Sequence, residues 1–200
     1  MDICGHFNTV MRHKLQVMKN CFRCGLYIQG IMHDMSKFSP EEFIPGVLYY
    51  QGSRSPNNAE REDKGLSYAW VHHKGRNKHH YEYWTDYSPK VKKGTLIGVS
   101  MPRKYVAEMF CDRVGASKVY NGKNYSDAFP LAYLCQGIDN VMMAPETKNE
   151  IVYLLLMLKN KGEDYTFKYI KKAYLKGAFV PRLSLDRVKK TCPIPEEMSR

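Results

Sequence analysis

Residues 9–28, TVMRHKLQVMKNCFRCGLYI, place Val10, Val17, Cys21, Cys24 and Ile28 at three-, four- and seven-residue steps. That spacing predicts one apolar stripe along an amphipathic α-helix from about Thr9 to Ile28. Cys21-Phe22-Arg23-Cys24 is a lone CxxC on the same stripe with no second pair, so the two thiols are expected to pack as small hydrophobes rather than to hold a metal or carry redox chemistry. His13 sits on the edge of the stripe, where an imidazole is either a satisfied core group or a ligand.

The same recurrence continues outward from this helix, and no convincing alternating strand interrupts it, so the expected fold class is all-α, a helical bundle. A short element carries IMHDMSKF at 31–38, and Ser39-Pro40-Glu41-Glu42 reads as a fresh helix start. There Ser39 is the N-cap, Pro40 the first helical residue and Glu42 the partner that completes a capping box. The polar stretch from Gly52 to Gly65 is expected to be a loop or mobile flap, followed by a short helix from about Ser67 and a basic connector from Ser88 to Gly98. Further helices are expected from Pro102 to Tyr120, Asp127 to Met142, Glu146 to Lys159 and Tyr165 to Lys176. A chain of 200 residues with 44% hydrophobic content supports one core. We therefore expect a single domain over 1–180 and an irregular tail over 181–200, where Pro181, Pro193 and Pro195 fall.

The longest apolar run, Ile151 to Leu158, is far short of the roughly 20 residues that cross a bilayer, and the N-terminus has no apolar signal region. The six cysteines are expected to be reduced thiols and the compartment the cytoplasm, with no membrane partner. A net charge of +11 favours an anionic partner, whether a phosphate ester, a nucleic acid or a membrane surface, and composition does not choose among them. The lysines are nevertheless spread along the chain, as on an ordinary solvated surface.

Candidate ligands for a cation recur on inward faces. His33-Asp34 lies among Ile28, Ile31, Met32, Met35 and Phe38, where burial of an imidazole and a carboxylate is costly without a partner. A divalent cation satisfies both. HHKGRNKHH at 72–80 contributes His72, His73, His79 and His80, and Asp112 falls on the helical face of Tyr105, Met109 and Ala116, with Glu108 one turn earlier. A structural zinc knot is disfavoured, because such sites rest on cysteine pairs and none is near.

The order H…HD…HH…HH…D resembles the HD-domain superfamily, whose ligands come as H…HD…D on successive helices, and HKLQV at 13–17 is similar to its first-helix pattern. HDMSK at 33–37 resembles the HDxGK of the HD-GYP cyclic-dinucleotide phosphodiesterases, with Ser36 in place of glycine. No GYP tripeptide is present, so that specificity does not carry over. HDMSKFSPEEF together with HHKGRNKHHYEYW also resembles an uncharacterised family of small bacterial and phage proteins, over roughly residues 9–120.

The resemblance implies an HD-like bundle holding two or three divalent ions, Mn, Fe, Mg or Zn, and hydrolysis of a phosphomonoester or phosphodiester such as a nucleotide. His13, His33, Asp34 and Asp112 would hold the first ion, and Asp34 would bridge to a second completed by His73 and His79 or His80. Neighbouring histidines on a helix point about 100° apart, so one of each pair is expected to ligate. His80 is then free for proton transfer, with Asp34 and Lys37 as the other catalytic residues. Lys37 is either a phosphate ligand on the face of Asp34 or a surface lysine. Arg76 either grips phosphate or pairs with Glu82; Asn77 offers an amide; Tyr81 either stacks a base or packs in the core. Two other activities share this residue set: an HD-type di-iron oxygenase, and a non-catalytic basic protein that binds nucleotides or nucleic acid.

Overall fold

The computed structural model describes residues 1–191. Among them lie nine α-helices and one small hairpin. Helix α1 (Ile3–Cys24) starts at Asp2, whose carboxylate accepts from Gly5 N at 2.7 Å, and stops at Gly25, which takes the left-handed conformation (φ 80°). That glycine ends the helix four residues before the sequence pattern suggests. Ile28 consequently leaves the buried stripe and is 76% exposed on the short helix α2 (Tyr27–Met32). Next come a 3-10 turn (Met35–Phe38), α3 (Pro40–Leu48), α4 (Pro56–Lys64), α5 (Tyr68–Arg76), α6 (Arg103–Asn121), α7 (Phe129–Gly137), α8 (Pro145–Lys172) and α9 (Leu185–Lys190).

Three expectations are corrected. The Gly52–Gly65 loop contains α4, whose composition hides it. It has Pro56 at its start and Gly65 as its left-handed stop, but it buries only Ala59 and Glu60, and Glu60 accepts from Ser67 Oγ at 2.5 Å. The basic connector contains the antiparallel pair β1 (Thr85–Tyr87) and β2 (Leu96–Gly98), with Thr85 opposite Gly98. Three-residue strands are too short to show alternation. Gly98 lies against the backbone of Met143 and Ala144 so closely that a Cβ would meet Ala144 N at 2.5 Å. The described part of the tail is not irregular: α9 buries Val188 in the core, and Asn149 ties Pro181 O and Leu183 N at 3.1 and 2.8 Å. Pro193 and Pro195 lie outside the described residues.

The expected helices at 146–159 and 165–176 are two limbs of α8, joined at Gly162, whose φ of 77° interrupts the helix. The first limb forms the centre of the core, burying Ile151, Leu154, Leu155 and Leu158 against Phe110 and Val114 of α6. The thiols of Cys21, Cys24 and Cys111 are buried in the same core, with Cys24 Sγ and Cys111 Sγ 3.6 Å apart.

Helices α1 and α6 pack closely because Gly115 presents no side chain to Val17; a Cβ there would meet Val17 Cγ2 at 2.7 Å. This crossing is three to four residues from His13 and Asp112, so it sets their separation. Gly115→Val should therefore lower stability in chemical denaturation by about 2 kcal/mol through overpacking. It should also weaken whatever ion His13 and Asp112 share; unchanged metal affinity in the variant would contradict that coupling.

Candidate metal centre

Five segments converge on one carboxylate. Lys14 Nζ donates to Ile31 O and His33 O, both at 2.8 Å, fixing the end of α2 to α1. The next residue, Asp34, is the one non-glycine residue with positive φ among the described residues (φ 53°, ψ 27°). An L-residue there costs about 1–2 kcal/mol, least for Asn and Asp. The turn aims the Asp34 side chain inward, and both His33 and Asp34 are about 98–99% buried. The apolar neighbours Ile28, Ile31, Met32 and Met35 are instead exposed, so the pocket around the pair is made by other histidines rather than by an apolar shell.

The two oxygens of Asp34 face two groups of donors. Around Oδ2 stand His13 Nε2 at 3.6 Å and His33 Nε2 at 3.4 Å. Asp112 Oδ1 completes this group, 3.0 Å from His13 Nε2 and 3.6 Å from His33 Nε2. Around Oδ1 stand His73 Nε2 at 3.3 Å and His79 Nε2 at 3.4 Å, with His80 beside them. In each group the donor atoms lie within 4.8 Å of one another.

The outward edges of these rings are already satisfied. His33 Nδ1 donates to Glu108 Oε1 at 3.0 Å, and His79 Nδ1 lies 3.3 Å from the same oxygen. His73 Nδ1 donates to Glu42 Oε2 at 2.7 Å. The inward atoms are not: His13 Nε2, His33 Nε2, Asp34 Oδ1, His79 Nε2 and His80 Nε2 are buried without a hydrogen-bond partner. Carboxylates behind imidazoles whose Nε2 atoms point at one acid form the arrangement that orients metal ligands. The separations also fit. Ligands held at about 2.1 Å from an ion stand about 3.0 Å apart in octahedral and about 3.4 Å apart in tetrahedral geometry. A third cluster, His33, His79 and Glu108, uses the Nδ1 edges, so we read Glu108 as the orienting partner of both rings.

Burial alone would lower the His33 pKa, but Asp34, Asp112 and Glu108 raise it to about 10. Burial likewise opposes ionisation of Asp34, yet His33, Lys37 and His73 hold it well below the usual carboxylate range. The same contest holds Asp112 low through His13 and His33, Glu108 low through His33 and His79, and Glu42 low through His73, Ser36 and His72. Burial pushes the His80 pKa well down, helped by the charges of His79 and His73, so its ring is neutral and fit to ligate.

His13, His33, Asp34, His73, His79 and Asp112 are thus all brought together. His80 joins the second group beside His79, against the expectation that one of each pair would ligate, because the two occupy a turn after α5 and not a helix. His72 stays outside, donating to Glu42 Oε1 at 2.7 Å. Lys37 Nζ lies 2.7 Å from Asp34 Oδ2, brought there by the 3-10 turn. Asn77 Nδ2 donates to Ser36 Oγ at 2.7 Å and to His73 O at 2.8 Å. Tyr81 is half-buried against the core, its pKa pushed up to about 12 by burial and by Glu82. Arg76 makes no ion pair with Glu82 and lines a separate cleft.

Sequence reasoning missed the roles of Glu42 and Glu108. Ser39 makes no side-chain cap hydrogen bond, and the acid assigned to its capping box turns inward to carry His72 and His73. For Glu108 the available signal was its position one turn before Asp112. Because Glu42 supports His73 and not the first group, Glu42→Ala should weaken one metal equivalent by about 10- to 100-fold and leave the other unchanged. Stoichiometric metal titration reads this directly, and equal weakening of both would oppose the two-group arrangement.

A family model matches residues 2–157, and its description is "Family of unknown function (DUF5662)". The chain belongs to this family. The matched span contains every residue of the candidate metal centre, from His13 to Asp112. No curated protein and no solved structure matches the chain. Among the described residues, no helix is long and apolar enough to cross a membrane.

Proposed function

We propose that this DUF5662 protein is a metal-dependent phosphohydrolase, acting in the cytoplasm on a phosphomonoester or phosphodiester such as a nucleotide. The observation that carries the proposal is Asp34, whose two oxygens face two separate sets of unsatisfied imidazole nitrogens. The residue order resembling the HD superfamily and the net charge of +11 support the same reading. Divalent ions, if held by these residues, would supply Lewis acidity that lowers the pKa of water and offsets charge on phosphoryl oxygens.

The protein's own groups have distinct tasks. His13, His33 and Asp112 would hold one ion, and His73, His79 and His80 the other. The side chains of Asp112 and Lys37 are 18% and 30% exposed, against 10% or less for His13, His33, Asp34, His73 and His79, so the substrate would enter on their side. Lys37 stays protonated, since Asp34 and Asp112 raise its pKa against the effect of burial, and its ammonium suits a phosphoryl oxygen beside Asp34. Glu42 and Glu108 fix ring orientation.

Element analysis of the purified protein, followed by hydrolysis of p-nitrophenyl phosphate and bis(p-nitrophenyl) phosphate with the metal found, tests the proposal. Turnover should require the metal and continue without dioxygen. A metal-loaded protein that leaves both esters intact, or a metal-free protein with no turnover, would remove the hydrolase assignment.

A further inference from the structure

A cleft of about 370 Å³ lies between α2, residues 76–79 and the first turns of α6. It is large enough for a small organic ligand. His79 and Glu108 line it, but His13, His33, Asp34, His73, His80 and Asp112 do not. Glu108 meets the Nδ1 edges of His33 and His79, whereas Asp34 meets their Nε2 edges. The cleft is therefore behind the metal-facing edges, away from the side where Lys37 and Asp112 are open.

Its charge is unbalanced. Arg76, Lys78 and Lys104 line the cleft, against Glu108 as its one acid, and Glu108 is already engaged with two histidines. Among the described residues, Arg76 acts electrostatically on the exposed Glu41 but forms no hydrogen bond or ion pair, while the Nζ atoms of Lys78 and Lys104 meet the rings of Tyr83 and Tyr105, at 5.8 and 4.9 Å. A ligand with two negative charges would offset these cations, and a guanidinium favours a bidentate oxyanion. The lining also holds Ile28 and Met32, 76% and 59% exposed, and Tyr105. Exposed aliphatic side chains with an aromatic ring suit an apolar or aromatic body.

We propose that this cleft is a second ligand site, binding a dianionic phosphate or phosphonate that carries an apolar body, without contact to the metal ions. Arg76, Lys78 and Lys104 take the oxyanion, and Ile28, Met32 and Tyr105 take the body. Binding here is independent of the hydrolase chemistry, so the two proposals stand or fall separately.

Phenylphosphonate, which has no hydrolysable ester, is a direct probe. In calorimetric titration the full chain should bind it both metal-loaded and after treatment with chelator, whereas a ligand held by the metals would be lost on chelation. Methylphosphonate, lacking the ring, should bind about tenfold more weakly. The double variant Arg76→Gln/Lys104→Gln changes two exposed side chains and should keep its circular dichroism spectrum. It should lose about tenfold or more in affinity, while Asp112→Asn, treated with chelator, should bind like the unaltered protein. The proposal is overturned if phenylphosphonate fails to bind the chelated chain, if the double variant binds within twofold of the unaltered protein, or if methylphosphonate binds as tightly.

Discussion

Asp34→Asn should remove both metal equivalents at once and reduce turnover by more than the roughly 10- to 100-fold that loss of an outer hydrogen-bonding partner costs. Asparagine is the right replacement, because it tolerates the left-handed backbone at this position and keeps the side chain's size, so the turn between His33 and Met35 survives. What disappears is the charge that both groups share. In the metal-free state the carboxylate also compensates Lys37 at 2.7 Å and the raised pKa of His33. The metal-free variant should therefore be less stable by about 2 kcal/mol, the scale of a lost hydrogen bond to a charged group. Inductively coupled plasma analysis and thermal denaturation with and without metal read both effects. A variant that still holds one full equivalent would mean that the two groups do not share Asp34.

Much of this centre is legible in the sequence because its ligands are chemically rare and come from separate elements. His13 shares a helical stripe with Val10 and Val17, and Asp112 shares a face with Met109. Those periodicities point both residues inward before any coordinates exist. The all-α class follows from the same pattern, and the described helices agree with it. What the sequence hides is hydrogen-bond direction. Ser39-Pro40-Glu41-Glu42 satisfies the spacing of a capping box, but the imidazoles of half-buried His72 and buried His73 compete for Glu42 and win. Helix α4 stays hidden because its stability comes from terminal signals and one buried acid rather than an apolar stripe. The placing of His79 and His80 in one candidate ion group depends on a turn, where the 100° rule of a helix does not apply.

Glu108 gives the second large effect, and its sign with pH follows from the charges around His33. In the metal-free protein the His33 pKa is raised to about 10, from an ordinary value near 6.5. A raised pKa contributes stability that is fully present below about pH 6.5 and is lost as pH rises toward 10. The depressed carboxylates Asp34, Asp112, Glu42 and Glu108 contribute stability that is present above the ordinary carboxylate range and is lost as pH falls through it. Metal-free protein should thus be most stable near pH 6.5, because the lowered pKa of buried His80 costs stability as pH falls below that value. An incoming cation must displace the His33 proton, so metal affinity should rise with pH from about 6.5 to 10. Glu108→Ala removes the acceptor behind both His33 and His79, one from each group, so both equivalents should weaken by about 10- to 100-fold, unlike Glu42→Ala. Glu108→Gln keeps an acceptor oxygen and removes the charge, so it should weaken metal less and lower the His33 pKa, shifting the rise in affinity to lower pH. Chelator competition measured across this pH range separates the variants. Wild-type affinity in Glu108→Ala at every pH would show that the orientation of these two rings is fixed by packing alone.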